Sequence, residues 1–118
     1  MARVVAHVPD LLFGSKVQGL LTAGGHDVAL VGSQDAVREH IAASDVLVVD
    51  LTVDDIAGIA LLESLKADES VGETRTLAFY SHVDAGVRAR AIAAGFDLVV
   101  PRSRMAREGS ALVDRLVA

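Results

Sequence analysis

The residues of this chain that could do chemistry follow short apolar runs, at the points where those runs end. Asp10 comes after the first run, Asp50 and Thr52 lie at the end of the third, Ser81 follows the fourth and Arg102 follows the fifth. They offer carboxylates, which suit a hard divalent cation, and a guanidinium, which suits phosphate. These groups can form a site only if the fold brings the ends of the runs together.

The apolar runs alternate with amphipathic stretches along the whole chain, which predicts five strand–helix pairs. The predicted strands are 3–8, 27–31, 45–51, 77–80 and 98–100. The predicted helices are 15–23, one capped by Ser33 that includes Ile41, one capped by Thr52 or Asp54 that runs to about residue 67, 84–94 and 104–117. Gly-Gly at 24–25 and Gly95 are typical helix ends.

Strict alternation of strands and helices predicts a parallel sheet covered by helices on both faces. The 118 residues fit a single domain, 1–118. Right-handed crossovers leave few strand orders, and five strands match the flavodoxin-like three-layer α/β/α sandwich of order 2-1-3-4-5. Sites in such sheets lie outside the carboxyl ends of the strands. Asp50 is the most informative residue, because a carboxylate at the end of a buried strand costs free energy unless it is paired or solvated.

Composition excludes several classes of function. The chain has 16 acidic and 11 basic residues and a net charge of -5, which argues against duplex DNA binding. Three Phe, one Tyr and no Trp argue against stacking on single-stranded nucleic acid. There is no Cys for disulfides or thiolate chemistry. Neither a membrane-spanning apolar run nor a signal peptide is evident, so we expect a cytoplasmic protein.

These residues and their spacing resemble the receiver domain of two-component response regulators over nearly the whole chain. Asp50, in Leu-Val-Val-Asp-Leu, falls at the phosphoacceptor position of that family, and Ser81 falls at its phosphoryl-contacting Ser or Thr. Residues 90–101 resemble the family's Ala-Gly-Ala-Asp segment, which leads to a Lys-Pro pair. In a working receiver the resemblance implies Mg²⁺ held by Asp10 and Asp50. It also implies a cis bond before Pro101.

The chain departs from the receiver pattern at the positions that hold metal and phosphate. The paired acids that end the first strand in receivers fall near Val8 and Pro9, so Asp10 is the only acid nearby. The lysine before the proline is replaced by Val100, although Arg102 offers a cation from a shifted position. We therefore expect an atypical or pseudo-receiver with degenerate phosphorylation machinery, a signalling module and not an enzyme.

The resemblance implies a protein partner, either a sensor kinase or a downstream regulator. Arginines concentrate in the last third of the chain, on the predicted fourth and fifth helices, which predicts a partner or homodimer surface there. A second interpretation stays open, in which the cleft among Asp10, Asp50, Ser81 and Arg102 binds a nucleotide, a phosphate or a cobalamin-like ligand.

Overall fold

Five strands alternate with five helices along the chain in the computed structural model, which describes residues 1–118. The strands are β1 Arg3–His7, β2 Asp27–Val31, β3 Val46–Asp50, β4 Arg75–Tyr80 and β5 Leu98–Pro101. The helices are α1 Leu11–Ala23, α2 Gln34–Ile41, α3 Asp55–Ala67, α4 Ala85–Ala94 and α5 Arg102–Val117. No helix combines the length and apolar composition needed to cross a membrane.

The strands form one parallel sheet of order β2-β1-β3-β4-β5, which confirms the predicted flavodoxin-like sandwich. Helices α1 and α5 pack on one face of the sheet, and α2, α3 and α4 pack on the other. Every residue of β3 is buried, as expected for a central strand covered on both sides. Asp50 is the last residue of this central strand. It therefore lies in the middle of the row formed by the carboxyl ends of the strands, which we call the carboxyl edge of the sheet.

The start of α1 is the largest difference from the predicted elements. We expected this helix to begin at residue 15, but this is wrong, because Gly14 and Ser15 both lie inside a helix that begins at Leu11. The carboxylate of Asp10 caps that helix by accepting the amides of Leu12 and Phe13. A helix that begins four residues earlier is longer by about one turn at its N-terminus.

A polar cluster joins α2 to the end of α3. Arg38 donates to Asp68 and to Ser64, at 2.6 Å in each case, and Ser70 donates both its amide and its hydroxyl to the Asp68 carboxylate. The Ser70 hydroxyl and then the Arg38 guanidinium hold the pKa of Asp68 below its ordinary value. The pKa of Asp68 is lower in the folded protein than in the unfolded chain. The cluster therefore stabilises the fold at pH values above the ordinary carboxyl pKa. The contribution is lost as the pH falls through the folded value.

Replacing Ser70 with Ala is expected to raise the pKa of Asp68 toward its ordinary range, because the strongest bond to the ionised form is removed. Carboxyl ¹³C NMR titration of Asp68 measures the change. Ser15→Ala, on the exposed surface of α1, is the control and should leave the Asp68 curve in place. An unshifted curve in Ser70→Ala would contradict the assignment of Ser70 as the main cause.

Candidate functional site

The residues singled out in the sequence all lie at the carboxyl edge of the sheet. Asp10 follows β1, Asp50 and Thr52 lie at the end of β3, Ser81 follows β4 and Arg102 follows β5. Strands β1 and β3 are neighbours, and their connections leave toward opposite faces of the sheet. This is the switch in strand order at which open parallel sheets bind ligands.

Asp50 is buried, with 4% of its surface exposed. Its Oδ1 accepts the amide of Thr52 at 2.7 Å and the hydroxyl of the same residue at 2.6 Å. Its Oδ2 is also buried and has no hydrogen-bond partner. A buried acceptor without a partner costs about 1–3 kcal/mol, and more when it is charged. The cap of α3 is Asp54, so Asp50 is not held in place by a capping role.

Asp10 and Arg102 form the other polar part of this edge. The Oδ1 atom of Asp10 accepts the amides of Leu12 and Phe13 at 3.0 and 3.2 Å, and its Oδ2 lies 3.7 Å from Nη2 of Arg102. The Arg102 guanidinium lies over the Phe13 ring, 4.1 Å from its centroid. Phe13 packs in turn against Phe79 of β4, with ring centroids 5.2 Å apart. Arg102 is thus oriented by a carboxylate and an aromatic face.

Two cavities divide the site residues between them. The first, the α1–α5 cavity, has a volume of about 640 Å³. It is lined by Phe13, Lys16, Thr52, Val53, Ser81, His82, Arg102, Ser103 and Ala106. The second, the α2–α3 cavity, has a volume of about 320 Å³. It is lined by His7, Pro9, Gly32, Ser33, Gln34, Asp50, Val53, Asp54, Ala57 and Gly58.

The structure therefore brings together only part of the predicted site. Thr52, Ser81 and Arg102 share the α1–α5 cavity, whereas Asp50 lines the other cavity and Asp10 lines neither. Thr52 connects the two, because its hydroxyl donates to Asp50. Lys16 and Ser103 were not predicted from the sequence. The signal that could have found Lys16 is its place in the first turns after an acidic cap at Asp10.

The donors around Asp50 do not fit Mg²⁺. Mg²⁺ requires a near-octahedral shell of oxygens, usually with more than one charged ligand. Pro9, which lines the same cavity as Asp50, stands where the receiver pattern has an acid, and one oxygen of Asp10 is used by α1. The chain contains no group of three or more His, Asp or Glu side chains arranged to hold a metal ion.

The residues that lead into α5 also differ from the receiver pattern. Val100 is 1% exposed and belongs to the core under α1 and α5, so its side chain is not directed at a ligand. No cis peptide bond occurs in the chain, and the cis bond expected before Pro101 is therefore wrong. Pro101 is the last residue of β5, and α5 begins at the next residue, Arg102.

Solved structures with the same fold include receiver domains of response regulators. The receiver domain of the Francisella response regulator 1452 gives a TM-score of 0.83 at 17% sequence identity, covering 98% of this chain and 96% of that chain. The signal receiver domain of the response regulator NarL from Mycobacterium tuberculosis gives a TM-score of 0.77 at 24% identity, covering 99% of this chain and 97% of that chain. NtrX from Brucella abortus, solved in complex with ADP, gives 0.84 at 18% identity, covering 98% of this chain and 27% of that one.

At these identities the likeness establishes the fold. No protein-family model and no curated protein sequence matches the chain. The resemblance to receiver domains drawn from the residues is thus confirmed at the level of the fold.

Proposed function

We propose that this chain is a receiver-like signalling module, not an enzyme, that acts through contact with protein partners and whose phosphorylation machinery is degenerate. The observation that carries the proposal is the state of Asp50, which is buried, bonded through one oxygen to Thr52 and without a partner for the other. The receiver domains that share the fold support a role in two-component signalling.

Phosphoryl transfer to a carboxylate needs a metal to offset charge on the transferred oxygens and a cation to hold the product. The positions that provide these groups in receivers are occupied here by Val8, Pro9 and Val100. Val8 and Val100 are core residues, 3% and 1% exposed. A charged residue at either position would be costly to bury, so these positions serve packing instead.

Contact with a partner is supported by five exposed apolar side chains that follow the carboxyl ends of β1, β3 and β4. They are Leu11 (80% exposed), Leu12 (87%), Val53 (67%), Ile56 (75%) and Val83 (80%). Soluble monomers rarely leave large contiguous apolar patches in water, and such patches mark interaction sites. We propose that a sensor kinase or a downstream regulator docks at the carboxyl edge.

A homodimer through α4 and α5 is a second part of the proposal. Ile92 on α4 and Val117 on α5 are 47% and 40% exposed, and both helices carry arginines. Sedimentation velocity over a range of concentrations measures self-association. A single monomeric species at every concentration would remove the homodimer from the proposal.

The phosphorylation part is tested with acetyl phosphate and Mg²⁺ on the wild type and on Asp50→Asn. We expect no added phosphoryl group by intact mass, and no saturable Mg²⁺-dependent change in the Asp50 carboxyl NMR signal, because the metal ligands are incomplete. A stoichiometric acyl phosphate on the wild type that is absent from Asp50→Asn would overturn the proposal of degenerate machinery.

A variant that adds a metal ligand gives a test of the same site in which Mg²⁺ binding is the expected result. Pro9 and Asp50 line the same cavity, so Pro9→Asp would add a second carboxylate to its lining. We expect this variant to bind Mg²⁺ at least about ten-fold more tightly than the wild type, since a carboxylate about 4 Å from a bound cation would contribute on the order of 1–4 kcal/mol. Leu11→Asp adds the same charge outside the cavity and is the control. Equal gains in both variants would contradict a site at Asp50.

A further inference from the structure

The α1–α5 cavity has the opposite charge from the rest of the molecule. Its polar side chains are Lys16, Arg102, His82 and the hydroxyl residues Thr52, Ser81 and Ser103, and no carboxylate lines it. The chain as a whole carries a net charge of -5. A cationic pocket in an acidic protein concentrates anions at that place.

Most side-chain donors in this cavity make no hydrogen bond within the protein; the exception is the Thr52 hydroxyl, which donates to Asp50. Lys16, Arg102, Ser81 and Ser103 donate no side-chain hydrogen bond to any other residue, although each can do so. The ion pair between Arg102 and Asp10, at 3.7 Å, is longer than the about 2.7–2.9 Å of a charge-assisted hydrogen bond. The guanidinium therefore keeps its donors available for a ligand.

Arg102 is also held in position before any ligand arrives. Its guanidinium lies on the face of Phe13, and Phe13 is buried at 7% exposure. An arginine fixed in this way loses less side-chain entropy when it binds an anion.

The start of α5 adds backbone donors at the same place. The helix begins at Arg102, and its N-cap, Pro101, provides no side-chain cap. The first amides of the helix, including that of Ser103, therefore have no side-chain acceptor. These amides and the positive end of the helix dipole favour an anion at the same place as the cationic side chains.

We propose that the α1–α5 cavity binds a phosphate monoester noncovalently, through Arg102, Lys16 and the hydroxyls of Ser81 and Ser103, and without Asp50. A phosphate dianion has enough acceptor oxygens to use two cations and several hydroxyls at once, whereas a carboxylate has fewer. About 640 Å³ exceeds the size of phosphate itself and lies in the range of small-molecule sites. The remaining space is bordered by Val53 and Ala106, which suits a compact organic group.

The test is isothermal titration calorimetry at constant ionic strength, with phenyl phosphate as the probe and inorganic phosphate and benzoate as comparison ligands. Saturable binding of phenyl phosphate is expected, tighter than that of either comparison ligand. Arg102→Gln and Lys16→Gln should each weaken it by about ten-fold or more, because each removes a cation and its charge-assisted hydrogen bonds to the phosphate. Both residues are exposed, so both variants should fold.

Two further variants distinguish binding in this cavity from binding elsewhere on the protein. Arg107→Gln removes an exposed arginine of α5 that does not line the cavity, and it should bind phenyl phosphate nearly as the wild type does. Asp50→Asn should bind at least as tightly, since a nearby negative charge is lost. Absence of saturable binding, equal weakening by Arg107→Gln, or loss of binding in Asp50→Asn would each overturn the proposal. None of these results depends on whether Asp50 can be phosphorylated, so the proposed signalling function is tested separately.

Discussion

Replacing Asp50 with Asn is expected to make the protein more stable, by about 1–3 kcal/mol in the free energy of unfolding. Asparagine keeps an oxygen that can accept the amide and hydroxyl of Thr52, which are the two bonds the carboxylate makes. It replaces the buried Oδ2, which carries part of the charge and has no hydrogen-bond partner, with a neutral amide nitrogen that costs less free energy to desolvate. Desolvation of an unpaired charged acceptor costs at least this much. Urea denaturation of the two proteins measures the difference.

The matched control is the same substitution at Asp10, where the carboxylate is a helix cap. Asn caps helices as well as Asp does, and the ion pair with Arg102 is half exposed. In Asp10→Asn the free energy of unfolding should therefore fall by up to about 1 kcal/mol, whereas in Asp50→Asn it should rise. A loss of stability in Asp50→Asn would show that Oδ2 is satisfied in solution, and the argument for a degenerate site would fail.

The stability of Asp50→Asn also indicates why the protein has an aspartate at position 50. An aspartate that lowers stability, caps no helix and makes two hydrogen bonds that asparagine could also accept is not required by the fold at the end of β3. Local conflicts of this kind are expected at functional positions. A stabilising Asp50→Asn substitution would therefore favour a retained signalling role for this position, even though its metal ligands are incomplete.

The strand order and the place of Asp50 could be predicted because they depend on patterns that repeat along the chain. The unbroken apolar residues before Asp50 indicate a strand buried on both faces, and alternation with helices leaves few ways to arrange five parallel strands. The structure confirms that arrangement. Gly95, with φ of 104°, ends α4 as a glycine in the left-handed region should.

The start of α1 could not be settled in the same way. Asp10 and Ser15 are both good caps, and no local rule decides between them. The choice depends on packing, since Phe13 is buried against Phe79 only if the helix has already begun. This displacement is also why Lys16 was missed, because in the predicted helix it lay in the first turn rather than over the cavity.

The sequence also could not predict that the site residues are divided between two cavities. Residues at strand ends were expected to converge, but each loop turns toward one face of the sheet or the other. Helices α1 and α5 cover one face and α3 the other, so Arg102 and Asp50 line different cavities. Only the three-dimensional path of the loops separates the anion-binding residues from the carboxylate.

The close approach of α3 to the end of β3 leads to the second large prediction. A Cβ atom on Gly58 would lie 2.4 Å from Cδ2 of Leu51 and 3.1 Å from Cγ1 of Val49. It would also lie 3.5 Å from the carbonyl oxygen of Asp50. The glycine therefore lets α3 rest directly on the strand that carries the candidate site. We expect Gly58→Ala to lower the free energy of unfolding by about 1–3 kcal/mol, the usual cost of forcing an extra carbon into a packed core.

Gly19 provides the comparison that separates packing from helix propensity. It lies in the middle of α1, whereas Gly58 lies in the first turn of α3, and a Cβ on Gly19 would meet nothing within 4 Å. Gly19→Ala should raise the free energy of unfolding by about 0.5–1 kcal/mol, because alanine is the better helix former. The same gain acts in Gly58→Ala, so its net loss understates the steric cost. If Gly58→Ala were instead as stabilising as Gly19→Ala, α3 would have room to move away from β3, and the burial of Asp50 would not be enforced by the helix that follows it.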